Sequence, residues 1–184
     1  MKLLLKLSAL VLLAKFSFAL QAQETNPTKQ VNTVSNHSIS VDILSLTYNY
    51  EYALGKKFSL TGRAGFQSAY GYSSFYGSAF IISPAISLEP RYYYNLSRRE
   101  RKEKRTNKNS ANYLALTSWY IFDPIYSNQA SGENFALIAP NWGIRRVNSK
   151  AFLFEFNTGI SYSIGEYIDN NIGFLISLRF GYVF

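Results

Sequence analysis

The last thirteen residues of this chain alternate almost without a fault. Ile172, Phe174, Ile176, Leu178, Phe180, Tyr182 and Phe184 fall on one face. Gly173, Leu175, Ser177, Arg179, Gly181 and Val183 fall on the other. Successive side chains of a strand point to opposite faces, so one face here is wholly apolar and the other is small or polar. A soluble sheet could carry this alternation too, but here the apolar face ends on an aromatic, Phe184.

The start of the chain bears on where such a strand lies. Residues 1–6 carry Lys2 and Lys6, and residues 7–20 are largely apolar, broken by Lys15 and a few serines. Ala19 and Ala22 each offer a small residue at a cleavage position, and polar, proline-bearing sequence follows at once. That is the pattern of a secretory signal peptide over residues 1–22, too short for a membrane anchor. No later segment approaches the roughly 18 consecutive apolar residues of a spanning helix. Any span must then be built from strands closed into a barrel. The final strand resembles the C-terminal strand of outer-membrane β-barrels. That resemblance implies that Phe180, Tyr182 and Phe184 carry the signal read by the barrel-assembly machinery.

Further strands follow the same rule. Leu44, Leu46, Tyr48, Tyr50 and Tyr52 alternate with Ser45, Thr47, Asn49 and Glu51, and residues 39–54 read as one strand. After a turn at residues 55–57, Phe58 to Gln67 alternate, with Arg63 on the polar face. Phe80 to Tyr94 repeat the pattern with Glu89 and Arg91 inward. Pro84 and Pro90 weaken that strand, because proline donates no ladder bond. Residues 112–122 read as a strand of ambiguous facing. Residues 135–147 place Asn141, Gly143 and Arg145 inward, and residues 152–164 place Glu155 and Asn157 inward. Loops are expected at residues 71–78, 123–134 and 166–171. This makes seven strands, and single-chain bacterial barrels have an even number. The eighth is expected within residues 24–35, as the first strand and the neighbour of the last. The domain reading is a leader (1–22), an N-terminal segment with a possible first strand (23–37) and the barrel (38–184).

The fold class expected is therefore all-β: a transmembrane, antiparallel, up-and-down barrel of eight strands, preceded by a signal peptide. Fourteen Phe and fifteen Tyr suit aromatic girdles at two membrane interfaces. There are no cysteines, which removes disulfides and thiolate metal sites. Of the formal charge of +8, three lysines lie in the leader. Residues 98–108 hold seven basic and two acidic side chains, so the rest of the mature chain is neutral overall. A basic run without interleaved aromatics reads as a solvated turn near anionic head groups rather than as a nucleic-acid site.

The inward charges are Glu51, Arg63, Glu89, Arg91, Arg145, Glu155 and Arg179. They come from several strands yet fall at a similar depth. Charges in a narrow lumen must pair, because an isolated buried charge is costly. An eight-stranded barrel is just wide enough for side chains to fill it. These seven residues are expected to form a lumenal charge network, read either as packing or as a polar path for a small solute.

The middle of the chain carries a second resemblance. Leu88-Glu89-Pro90-Arg91-Tyr92-Tyr93-Tyr94-Asn95-Leu96, Asn112-Tyr113-Leu114-Ala115-Leu116 and Asn141-Trp142-Gly143-Ile144-Arg145-Arg146 resemble a family of small, uncharacterised outer-membrane β-barrel proteins. The resemblance spans most of residues 38–184. It implies a barrel of the size of the OmpX and OmpA transmembrane domains, and it brings no assigned activity.

Enzyme chemistry is sparse. The single histidine, His37, precedes Ser38, and small lipid A deacylases and palmitoyltransferases use a histidine with a serine near the outer rim. The topology above puts His37 at that height, without an acid partner. One histidine and no cysteine argue against a transition-metal site. No phosphate loop or nucleotide-binding glycine pattern is present. The reading is a non-enzymatic, monomeric outer-membrane protein with a structural, envelope-integrity or surface-interaction role and no cofactor. Its expected partners are outer-membrane lipids, lipopolysaccharide and the assembly machinery. A narrow solute channel is the alternative, and a lipid A-modifying enzyme is third.

Overall fold

A computed structural model describes residues 31–73, 77–128, 134–165 and 171–184. The expected leader, residues 1–22, lies outside them. The chain is all-β and forms one closed sheet. Its strands are β1 (Asn36–Asp42), β2 (Ser45–Ala53), β3 (Phe58–Ser73), β4 (Gly77–Tyr92), β5 (Asn112–Ile121), the short β6 (Tyr126–Ser127), β7 (Phe135–Val147), β8 (Phe152–Ile164) and β9 (Ile172–Val183). Each long strand pairs antiparallel with the next, and β1 pairs with β9 to close the ring. Eight strands make the barrel wall. β6 extends the β5 side by pairing Ile81 and Ile82 with Ser127 and Tyr126. Closure is partial in height: the β1–β9 ladder stops at Val41–Phe180 and the β2–β3 ladder at Ser45–Gln67, so the outer parts of β9 and β3 pair on one side only.

The eighth strand is not where it was expected. Residues 39–54 are a hairpin, with Asp42 opposite Ser45 and a two-residue turn at Ile43-Leu44. Val31 to Ser35 lie in no strand, and residues 24–30 fall outside the described chain. The reason is local. A two-residue turn shifts the inward phase by one, from the even residues Asn36, Ser38 and Ser40 to the odd residues Thr47, Asn49 and Glu51. Apolar Ile43 and Leu44 occupy a turn where glycine or asparagine would have announced it. Asp42 supplies the missing turn chemistry by accepting the Leu44 amide at 3.3 Å. The hairpin β3–β4 is also longer than expected, with Ser73 pairing Gly77.

The prolines sit inside strands after all. Pro84 and Pro90 lie in β4, and Pro140 in β7. The β4–β5 ladder lapses between Leu88 and Arg91, and the β7–β8 ladder between Ile138 and Asn141, then each resumes in the same register. A missing N–H thus costs a local bond without shifting the strands.

The solvent logic of a soluble protein is inverted. Ile39, Leu46, Tyr48, Phe66, Leu88, Leu114, Ile160 and Ile176 face outward, and Phe174 is 87% exposed. The buried set is rich in Ser, Thr, Asn, Glu and Arg. The ambiguous β5 resolves the same way: Tyr113 and Thr117 are buried, while Leu114 and Leu116 are exposed.

One end of the barrel, the base, carries the starts of β1, β3, β5 and β8 and the ends of β2, β4, β7 and β9. Residues 93–111 cross it. They include α1 (Leu96–Arg101) and one 3-10 turn (Asn107–Asn109). Tyr93, Leu96, Ala111 and Tyr113 pack into a small apolar cluster there, with Val31 against it. Asn109 clasps Val34 in both directions at 2.8 Å, amide to side chain and side chain to carbonyl. The opposite end, the rim, carries the turn at Ile43-Leu44, the ends of β3, β5 and β8, and the starts of β4, β7 and β9.

Candidate functional site

All seven expected lumenal charges meet just above the base. Alternation turns each inward, and the register levels them: Arg145 stands opposite Glu155, and Glu155 opposite Arg179, across β7, β8 and β9. Glu89 and Arg91 lie two apart on β4, and Arg63 approaches from β3. All seven are buried; Glu89 is 0% and Arg91 2% exposed.

Two bidentate pairs hold the centre. Arg63 donates to both Glu89 oxygens, Nη2 to Oε1 at 2.8 Å and Nη1 to Oε2 at 3.1 Å. Arg91 donates to both Glu155 oxygens at 2.8 and 3.0 Å, and its Nε reaches Glu89 Oε1 at 2.6 Å. Arg145 Nη1 adds a contact to Glu155 Oε2 at 2.9 Å. Fork-to-carboxylate geometry of this kind gives the strongest charge-assisted bonds. Glu155 is the hub, within 4 Å of Arg63, Arg91, Arg145 and Arg179.

Neutral groups complete the shell; of these the sequence pointed inward only Asn141 and Gly143. Glu51 accepts from Ser59 at 2.6 Å, Tyr93 at 2.7 Å and Asn36 at 3.3 Å. Thr117 donates to Glu89, and Asn141 donates to Thr117 at 2.8 Å. Arg145 also donates to Asn36 Oδ1 at 2.9 Å and the Lys108 carbonyl at 3.1 Å, tying the network to the base. Burial raises the Tyr93 hydroxyl well above its ordinary pKa, and the neighbouring Glu51 carboxylate raises it further, so Tyr93 stays a donor. The guanidinium of Arg91 lies 4.4 Å from the centre of the Tyr113 ring. Gly143 leaves room for that ring: a Cβ there would meet Tyr113 at 2.2 Å. The residual space at this level is about 10 Å³, at the lower limit for one water molecule.

The motif residues gather at the same end. Trp142 donates to Tyr94 at 2.8 Å, Arg146 to Asn112 at 2.6 Å, and the Asn112 amide to Asn95 at 2.8 Å.

His37 is not at the height expected for it. It is the second residue of β1, at the base and not at the rim, and its backbone pairs with Phe184. Its ring faces outward, stacked on Tyr50 with centroids 4.5 Å apart and bonded to the Tyr48 hydroxyl. Ser38 is buried on the lumenal face. Neighbours on a strand point to opposite faces, so the two cannot act as base and nucleophile. Among the described residues no cluster of three or more His, Cys, Asp or Glu is arranged to hold a metal. Phe180, Tyr182 and Phe184 all lie on the outer surface.

Above the network the lumen opens toward the rim. A polar chamber of about 160 Å³ has Thr117, Asn157 and Arg179 at its lower end, and Asp42 and Ser45 above. It adjoins an apolar chamber of about 320 Å³ bounded by Ile81, Trp119, Ile121, Phe135 and Leu137. Gln67, Trp119 and Leu175 line both.

No family model, curated protein or solved structure matches this chain.

Proposed function

We propose that this chain is a non-enzymatic outer-membrane barrel with a closed lumen, serving a structural, envelope-integrity or surface-interaction role. The observation that carries the reading is the interlocked plug of four arginines and three glutamates, with about 10 Å³ left among them. Hydrated solutes need a continuous path, and the paired side chains that fill the bore offer none. The apolar outer wall supports a lipid surround, since a water-facing wall with such a surface and a charged interior would invert the hydrophobic driving force. Ring closure at β1–β9 pairs the strands around the base half of the barrel, as a hydrocarbon environment favours. Lipids and lipopolysaccharide are then the partners of the wall, and the assembly machinery that of the final strand.

The test is single-channel recording of the refolded barrel in planar bilayers. The closed reading expects bilayers that stay silent while gel mobility shows heat-modifiable, folded barrel. Discrete, reproducible conductance steps from that material would replace it with the channel.

A further inference from the structure

We propose that the rim half of the lumen is a binding site for a small amphipathic monocarboxylate, its head against Arg179 and its apolar body between Trp119, Phe135 and Leu137. The plug closes the lower end of this space, so the inference rests on the closed reading and describes a blind cup rather than a pore.

Three observations converge. The first is volume: the apolar chamber holds about 320 Å³, at the lower end of ordinary ligand pockets, and joins the polar one through Gln67, Trp119 and Leu175. The second is charge. The plug has four guanidinium groups for three carboxylates, so one positive charge has no counterpart inside it. Arg179 is where that surplus lies. It is 6% exposed, its one close carboxylate is Glu155 at 3.4 Å, and Glu155 already holds Arg91 and Arg145. The third is unmet hydrogen bonding. Arg179 Nε is buried without a partner, as is Asn157 Oδ1 beside it on the chamber wall. An anionic oxygen suits the Arg179 Nε donor, whereas Asn157 Oδ1 is itself an acceptor, so the Arg179 donor alone speaks for a carboxylate. The only carboxylate lining either chamber, among the described residues, is Asp42. Its oxygens accept from Ser177 of β9 at 2.6 Å and from the Leu44 amide of the turn at 3.3 Å, and no ion pair within 4 Å joins it to Arg179. A buried cation with a free N–H, below an apolar chamber, selects an anion with an apolar tail over an inorganic one.

Trp119 reports directly on the site. A Trp142→Phe chain retains it as the single tryptophan. In phosphatidylcholine nanodiscs, 10-bromodecanoate should quench Trp119 with saturation. 10-Bromodecanol, the same body without the charge, should bind at least about tenfold more weakly, the loss of one charge-assisted contact. Arg179→Gln should weaken the acid by a similar factor and leave the alcohol unchanged. Decanoate and 4-tert-butylbenzoate, added as competitors, separate a lipid-derived chain from a compact aromatic acid. A Trp119→Phe chain, reporting through outward Trp142, measures partition into the bilayer alone. Acid and alcohol quenching alike, quenching that only tracks partition, or competition by neither acid would overturn the proposal, even if Arg179→Gln failed to fold. Conductance tests the plug and quenching tests the chamber, so either can fail without the other.

Discussion

Glu155 and Arg179 face one another across β8 and β9, yet they differ in what they support. Glu155 answers three arginines within 3.6 Å besides Arg179, so its neutralisation leaves several buried cations under-compensated. Glu155→Gln should therefore cost about 3–5 kcal/mol of stability. Arg179→Gln should cost much less, under about 1.5 kcal/mol, since its one ionic contact is shared and its Nε is unbonded. Urea unfolding in liposomes would check the order; equal losses would mean that the plug is not centred on Glu155. Tyr93→Phe removes one of three donors to Glu51 and should fall between, at about 1.5–3 kcal/mol. At this scale the charged members of the site were legible in the sequence. Period-two alternation fixes which face a side chain takes, and an inward charge must find a partner. The relative weight of each was not legible. It depends on reach across the bore, which brings Arg91 of β4 to Glu155 of β8, 64 residues away. Asn36 and Thr117 escaped notice for the same reason, as neutral residues matter here only through the charges they touch.

Among the strands, the closing seam between β1 and β9 is the shortest ladder of the wall, running from Ser38–Val183 to Val41–Phe180. Gly181 sits in it with no room to spare: a Cβ would lie 2.2 Å from the Ile39 carbonyl oxygen. Strands ordinarily gain from a β-branched residue, but here steric contact with backbone should reverse the sign. Gly181→Val is expected to cost about 1–3 kcal/mol and to slow closure of the ring. Heat-modifiability after refolding would show it, and a stabilised barrel would mean that the seam is looser than drawn. A turn gives the opposite case. Ala151 holds φ at +62° in the β7–β8 turn, a left-handed conformation that glycine adopts without a Cβ penalty. Ala151→Gly should then be neutral or stabilising by up to about 1 kcal/mol in the same urea assay. The sequence showed most of these elements because long alternating runs separate the two faces so cleanly. It hid the β1–β2 hairpin, where two apolar turn residues let the outward face run on from Val41 and Ile43 to Leu44 and Leu46 while the phase slipped by one. Residues 31–35 form a clasp across the base rather than a strand, because Thr33 and Val34 bond to Phe58 and Asn109 instead of to a ladder.

For the whole molecule, the architecture constrains which end faces out. The wall has eight strands, so both chain ends leave from the base. The base also carries the basic residues of α1 and the clasp, whereas the rim opens into the two chambers. A blind cup is useful only if its mouth meets the side from which ligand or partner arrives. On the proposed outer-membrane location, a barrel inserted from the periplasm keeps its chain ends there, and this outweighs the length of the 93–111 connection at the same end. The base should thus be periplasmic and the rim external, with Lys102 and Asp123 as exposed markers of the two ends. The absence of native cysteine makes single-cysteine labelling unambiguous. In intact cells an impermeant maleimide should modify Asp123→Cys and spare Lys102→Cys, and osmotic rupture of the outer membrane should expose the second. Labelling of Lys102→Cys without rupture, with Asp123→Cys protected, would turn the barrel over. The cup would then open to the periplasm, and any carboxylate it holds would have to come from inside the envelope.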